Sequence, residues 1–444
     1  MVGTLALLTT VTAVVTSLGA PLVASVAVDY DVSLTAAQWT LTATLLTGAM
    51  ATPVVGRAGS GALRRPVILG GLALVVAGCV LSALPTGFPG LLVGRCLQGV
   101  GLAITPLALA VARDVLDPDR MPATMSLLSV AGVAGAGLGF PLTALVAGAG
   151  GLGAAFWLGA GMTAATLVAA WRHVPSAPPT GTARLDWTGG LLLTGGIAAV
   201  LLTVSQGEDW GWASWPTAAL AAMGTAAILA WVPWTLRGDH PLVDLRLAAR
   251  PAALAAHLTA LLAGAGMYAG LTLVLIVVQA DSSTGWGLGH PVGVAGLMLL
   301  PYSMLSVGGS RLALAFGRRY PPNRILPLGC AVYLLSNVLL ALAHDHVWQI
   351  LLVMAVAGLG SGCTFAMIPL LLISAVPPDE TSSMLSFQQV LRYLGFSVGS
   401  TLGVVVLDVA SGSSGPHHQG FVVAALVTAG LCGVAGTAAW RITR

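Results

Sequence analysis

Long apolar runs separated by short polar stretches occupy almost the whole chain. A bilayer core about 30 Å thick is crossed by about 20 apolar helical residues, because the backbone polar groups must be satisfied within the helix. Fourteen runs meet that length: residues 4–27, 36–56, 67–84, 90–112, 122–147, 153–172, 187–205, 216–236, 252–280, 291–316, 323–343, 347–375, 384–408 and 420–440. The pattern predicts an all-α polytopic membrane protein with 14 transmembrane helices. An even number of crossings puts both termini on one side.

The arginines indicate which side. Short loops rich in Lys and Arg stay cytoplasmic, and Arg57, Arg64, Arg65, Arg113, Arg120, Arg172, Arg184, Arg237, Arg246, Arg250, Arg318, Arg319 and Arg324 all follow even-numbered runs. The opposite loops hold no arginine but carry Asp29, Asp31, Glu208, Asp209, Asp281 and Asp345. The expectation is an integral plasma-membrane protein with both termini cytoplasmic. Ser25-Val26-Ala27 would suit a signal peptidase, but no basic segment precedes the first run, and the run is longer than a signal-peptide apolar core.

Composition narrows the class further. Of 444 residues, 57% are hydrophobic and 7% charged, with 18 basic and 15 acidic side chains. A soluble domain carries about 25% charged residues. This composition excludes an ordinary soluble enzyme and a disordered tail, and a net charge of +3 excludes a nucleic-acid binder. All the basic residues are arginine. The five cysteines fall inside apolar runs without CxxC spacing, and the histidine pairs His344/His346 and His417/His418 have no neighbouring cysteine. No metal or cofactor is therefore expected.

A weak internal duplication appears at an offset near 259 residues. Gly71–Leu84 aligns with Gly329–Leu342, and Pro118-Asp119, Ser126, Gly135 and Gly139 align with Pro378-Asp379, Ser386, Gly395 and Gly399. Two parallel six-helix repeats follow, with a two-helix hairpin inserted between them. The expected divisions are an N-terminal bundle over 1–175, the hairpin with its linkers over 176–250, and a C-terminal bundle over 251–444. Repeated bundles of this kind support alternating access to a site near the midplane. Glycines within the runs allow close helix packing. Gly148, Gly150 and Gly153 fit GxGxxG, yet they fall in the short turn between runs 5 and 6, where no strand precedes them.

On this topology, Arg95-Cys96-Leu97-Gln98-Gly99-Val100-Gly101 with Pro106 resembles the helix 4 motif R-x-x-Q-G-x-G of the major facilitator superfamily, in its fourteen-helix drug:proton antiporter branch. Gln38-Trp39, Leu185-Asp186-Trp187-Thr188-Gly189, Gly211-Trp212, the segment from His240 to Arg246, Gln279 and Arg392-Tyr393-Leu394-Gly395 are similar too. The resemblance implies a cytoplasmic gate built on the loop after helix 2. Its candidates here are Gly56, Arg57, Arg64 and Arg65, with Asp114 as a partner for the last two arginines and Arg392 making gate contacts or binding carbonyls. Ser60 stands where the family's loop has an acid, Thr12 where helix 1 often has an aspartate, and Phe140-Pro141-Leu142-Thr143-Ala144 replaces the antiporter motif. These departures weaken the case for proton-driven export.

A charge at the bilayer centre costs about 2.5–3.5 kcal/mol on insertion scales, so embedded charges are functional candidates. Arg95, His257, Arg311 and Arg392 qualify, and no acid lies at the centre of any run. Arg95 either lines a cavity as a fixed positive charge or pins helices by binding carbonyls. His257 either couples protons or is a hydrogen-bonded packing residue. Arg311 is near enough to the inner surface to snorkel. Gln38, Gln98, Gln279, Gln388 and Gln389 offer neutral hydrogen bonds, and Met267, Tyr268, Phe365 and Met367 offer apolar walls suited to an amphipathic or hydrophobic cargo. The expected partners are the lipid bilayer, a small-molecule substrate and protons. The leading expectation is an exporter of a small amphipathic or hydrophobic compound working by alternating access. An uncoupled facilitator or importer and a non-transporting membrane sensor stand as alternatives; no nucleophile and base arrangement supports an enzyme.

Overall fold

The computed structural model describes residues 1–18, 22–59, 63–117, 119–176, 186–238, 241–282, 285–412 and 417–444. Among them the chain forms seventeen α-helices and no strand. These are α1 (Val2–Ser17), α2 (Val23–Asp29), α3 (Leu34–Ala58), α4 (Arg64–Ala83), α5 (Gly87–Gly99), α6 (Ile104–Val115), α7 (Met121–His173), α8 (Trp187–Trp210) and α9 (Trp215–Arg237). They continue as α10 (Leu245–Ala248), α11 (Pro251–Gln279), α12 (Val292–Leu297), α13 (Leu300–Gly317), α14 (Pro322–Leu342), α15 (Val347–Ile373), α16 (Thr381–Ser411) and α17 (His418–Ile442).

Among the described residues, eleven helical stretches are long and apolar enough to cross a membrane, and Val2–Ser17 and Met121–Gly132 are shorter apolar helices. An all-helical membrane fold is therefore established, while length and apolarity alone do not reach the expected 14 crossings. The differences have local causes. The first expected run is split into α1 and α2, with residues 19–21 outside the described chain. The fifth run begins in the shorter apolar helix Met121–Gly132, whereas the fourth, α5 and α6 joined by a 3₁₀ turn over Val100–Ala103, and the tenth, α12 followed by α13, still count among the eleven. α3 is less apolar because it carries six threonines. Conversely, α7 joins two expected runs into 53 residues, which as a straight helix would reach about 80 Å. Gly151, at φ 78° and ψ −179°, breaks it. Only a residue without a Cβ adopts that backbone readily, so the GxGxxG stretch is the bend between two helices.

Hydroxyl groups inside the apolar helices are satisfied by their own backbone. Thr12 donates to Leu8 O at 2.8 Å, Thr44 to Thr40 O at 3.0 Å and Thr163 to Gly159 O at 2.8 Å, the local back-bonding open to Ser and Thr.

The chain divides into two compact units. Unit 1 comprises Met1–Thr124, Leu138–Ala249 and Val376–Val390; unit 2 comprises Met125–Gly137, Arg250–Ala375 and Leu391–Arg444. In unit 1, Val11, Val15, Val75, Cys79, Leu91, Leu152 and Phe156 form a buried apolar cluster from α1, α4, α5 and α7. Gly78 of α4 and Gly94 of α5 face each other so closely that a Cβ at Gly94 would lie 2.7 Å from Gly78 O. Such small-residue contacts replace the hydrophobic driving force that lipid removes. Also in unit 1, α8 and α9 pack as a hairpin. Asp186 caps α8 by accepting from Gly189 N at 2.8 Å and also accepts from the Trp234 indole of α9 at 3.1 Å.

In unit 2, α11, α13, α14, α15 and α17 pack on one another. The Tyr333 hydroxyl donates to Met267 O at 2.8 Å, and a Cβ at Gly360 would lie 2.6 Å from Tyr333 N.

Candidate functional site

Polar side chains gather at three places. The first is in unit 1, where Arg95 of α5 is fully buried. Its Nε donates to Thr40 O at 3.0 Å, Nη1 to Val15 O at 3.3 Å and to Gln98 Oε1 at 2.5 Å, and Nη2 to Thr16 O at 3.1 Å. A guanidinium has five N–H donors, so four are used here. Gln98, also fully buried, donates onward to Gly78 O at 3.2 Å and to Ser82 Oγ at 3.0 Å. One spacing of three residues along α5 thus ties α1, α3, α4 and α5 together, since residues three apart share a helix face.

The second place is the end of α3, α4 and α6 in unit 1. Arg57 forms an ion pair with Glu380, with Nη1 2.8 Å and 3.0 Å from the two carboxylate oxygens. Gly56 is buried against Ser386, whose Oγ a Cβ at that position would strike. Arg64 is paired with Asp114 and donates to Gly59 O at 3.2 Å. Arg65 donates to Trp171 O at 2.7 Å. Arg113 donates to Val376 O at 3.1 Å and Pro377 O at 3.3 Å, the carbonyls just before α16. Gly56, Arg57, Arg64 and Asp114 are therefore brought together, whereas Arg65 bonds Trp171 and not Asp114; Ser60 lies outside the described residues.

Arg392 is not part of that cluster. It belongs to unit 2 and forms the third place. It is 8% exposed, with its guanidinium carbon 5.1 Å from the centre of the Phe365 ring, 5.9 Å from Phe396 and 6.0 Å from Tyr393. Tyr268 of α11 stacks on Phe396 at 5.2 Å. Sequence reasoning singled out Tyr268 and Phe365 but missed Phe396, which sits one α-helical turn beyond Arg392 on the same face.

The remaining expected residues are scattered. Gln38 is exposed in the first turn of α3, and Gln279 is exposed at the end of α11, its Nε2 donating to Leu275 O at 2.9 Å. His257 is buried in α11, and Arg311 is exposed, as snorkelling requires. Asp29, Asp31 and Asp408 are exposed. Glu380 was not anticipated: the repeat offset drew attention to Pro378-Asp379 but not to the charge beside it.

Outside the apolar spans, His344 stacks on His418 at 5.1 Å and packs against Phe421 at 4.7 Å. Burial pushes its imidazole below the usual histidine pKa and His418 adds to that shift, while its bond to Leu340 O and the nearby Asp345 oppose it.

Apolar helices of bilayer length in both units, with charged side chains buried among them, define a polytopic membrane protein. The family model "Major Facilitator Superfamily" matches residues 5–400, and the chain belongs to that superfamily. It is 25% identical over 390 residues to the MFS-type transporter YvkA of Bacillus subtilis, covering 85% of this chain and 84% of that protein. It is 25% identical to a uridine/deoxyuridine transporter of Lactococcus lactis, covering 81% and 76%, and 26% identical to the putative multidrug resistance protein MdtD of Salmonella paratyphi B, covering 80% and 76%. Among solved structures, the human organic anion transporter MFSD10 superposes with a TM-score of 0.69 at 15% identity, over 99% of this chain and 98% of that one. At such identity the likeness concerns the fold alone.

Proposed function

We propose that the protein exports a small amphipathic or hydrophobic compound across the plasma membrane by alternating access. In this reading residues 1–175 and 251–444 are the rocking six-helix bundles, 176–250 is the inserted hairpin, the helices make 14 crossings, and both termini are cytoplasmic. The cluster around Arg57, Arg64 and Asp114 is the cytoplasmic gate. Membership of the superfamily across residues 5–400 carries the transport function, and the similarity to MdtD supports outward movement of drug-like compounds.

Proton coupling through His257 is part of the proposal. A second reading, uncoupled facilitation, is favoured by one specific observation: the apolar runs have no central acid, and Asp29, Asp31 and Asp408 are exposed. Reconstitution in vesicles, with flux of candidate compounds followed with and without an imposed pH gradient, separates the two. Coupled export requires gradient-driven flux that His257→Ala abolishes. Flux that ignores the gradient and survives the substitution establishes the uncoupled reading, and binding without flux of any tested compound would favour a sensor.

A further inference from the structure

An arginine cannot lose its proton in a protein, so Arg392 remains a cation at 8% exposure. Its neighbours supply little to offset that charge. Three aromatic rings lie against it, and its Nε has no hydrogen-bond partner. Among the described residues no carboxylate pairs with it. Glu380, earlier in the sequence, is paired with Arg57. Asp408, the acid on α16 itself, is exposed sixteen residues further on, about 24 Å along a helix.

The surroundings also suit an aromatic guest. Tyr268 is 39% exposed and stacks on Phe396, which in turn meets the buried Phe365 edge-on at 6.2 Å. An aromatic wall therefore runs from accessible surface to the cation.

We infer that the Arg392 cluster of unit 2 binds the acidic group of an aromatic carboxylate or sulfonate, with the ring of that compound held against Tyr268 and Phe396. The planar guanidinium matches a two-oxygen anion, and Nε is one of the two donors a bidentate contact uses. A cationic or neutral aromatic compound would gain the stacking but leave the arginine uncompensated. The inference rests on the transport reading only for its meaning as cargo selection; the site stands on its own geometry.

The test uses the full chain in nonionic detergent and three matched probes: 2-naphthoate, 2-naphthylmethanol and 2-naphthylmethylamine. Calorimetric titration should show naphthoate binding at least about tenfold more tightly than the amine, as a charge-assisted hydrogen bond allows. Arg392→Gln should erase that preference while leaving the alcohol's affinity unchanged, and Phe396→Leu should weaken all three probes. Equal or tighter binding of the amine, or an unchanged naphthoate affinity in folded Arg392→Gln, overturns the inference. Should Arg392→Gln not fold, Arg392→Lys serves instead: naphthoate must weaken while remaining preferred over the amine, and an unchanged affinity overturns the site. Vesicle flux of the same probes keeps the two claims apart. Naphthoate binding without flux breaks the export reading and supports the site; flux of the alcohol without naphthoate binding breaks the site and leaves export standing.

Discussion

Arg95 in unit 1 and Arg392 in unit 2 are both buried among apolar helices, and they are accommodated in opposite ways. Arg95 uses four of its donors on carbonyls of two other helices and on Gln98. Arg392 rests among Phe365, Tyr393 and Phe396 with Nε unused. Each hydrogen bond to a charged group contributes about 1.5–3 kcal/mol, whereas a desolvated cation–π contact contributes about 2 kcal/mol. Removing an ion from water costs several kcal/mol. The first arginine is therefore closer to balance, and the second retains a demand for an anion. Burial of charge alone does not identify a binding group; the unused donor does.

The comparison is open to four measurements. The largest effect is expected for Arg95→Met, which strands Gln98 and unties α1 from α3. A loss of about 3 kcal/mol should appear as a marked fall in the thermal midpoint of the purified chain, and an unchanged midpoint would remove the contrast. Next comes the paired arginine. A double-mutant cycle of Arg57→Ala and Glu380→Ala should give a coupling of about 0.5–1 kcal/mol that shrinks in high salt, since both side chains keep some solvent contact.

His344 sharpens the contrast from another direction, because a histidine can relieve its burial by remaining neutral. Its folded pKa is depressed, so its contribution is present above the unfolded value of about 6.5 and is lost as pH falls through the folded value. A midpoint that declines as pH falls from about 6.5 through the folded value in the wild type, but less so in His344→Phe, would confirm the sign. The smallest effect is expected for Arg392→Met. Replacing a poorly compensated buried ion by an apolar side chain of similar length should leave stability within about 1 kcal/mol or raise it. A large loss would mean that the rings already satisfy the charge.

Much of this arrangement was legible in the sequence. Runs of about 20 apolar residues are a direct consequence of bilayer thickness, and most expected segments fall on described helices, with two of them merged in α7 and α10 arising in a stretch read as loop. Interruptions were less legible. The 3₁₀ turn after Gly99 and the junction between α12 and α13 change hydrogen bonding without changing apolarity, so a hydropathy reading passes over them. The contact of Arg95 with Gln98 is local to one helix, yet the sequence reading named only a cavity or backbone carbonyls as partners for Arg95. The neighbours of Arg392 come from α11, α15 and α16, and pairings over such separations leave no local periodicity. Glu380 escaped notice for the same reason, being 323 residues from Arg57.

Asp186 has a wider consequence. The same carboxylate that starts α8 also receives the Trp234 indole near the end of α9, and Gly196 and Gly224 let the two helices close on each other, a Cβ on Gly196 lying 3.2 Å from Gly224 O. A hairpin that joins its own beginning to its own end needs little from its hosts to hold its shape. On the proposed division of the chain it would serve as a cassette, a part that an engineer can exchange between relatives as one piece.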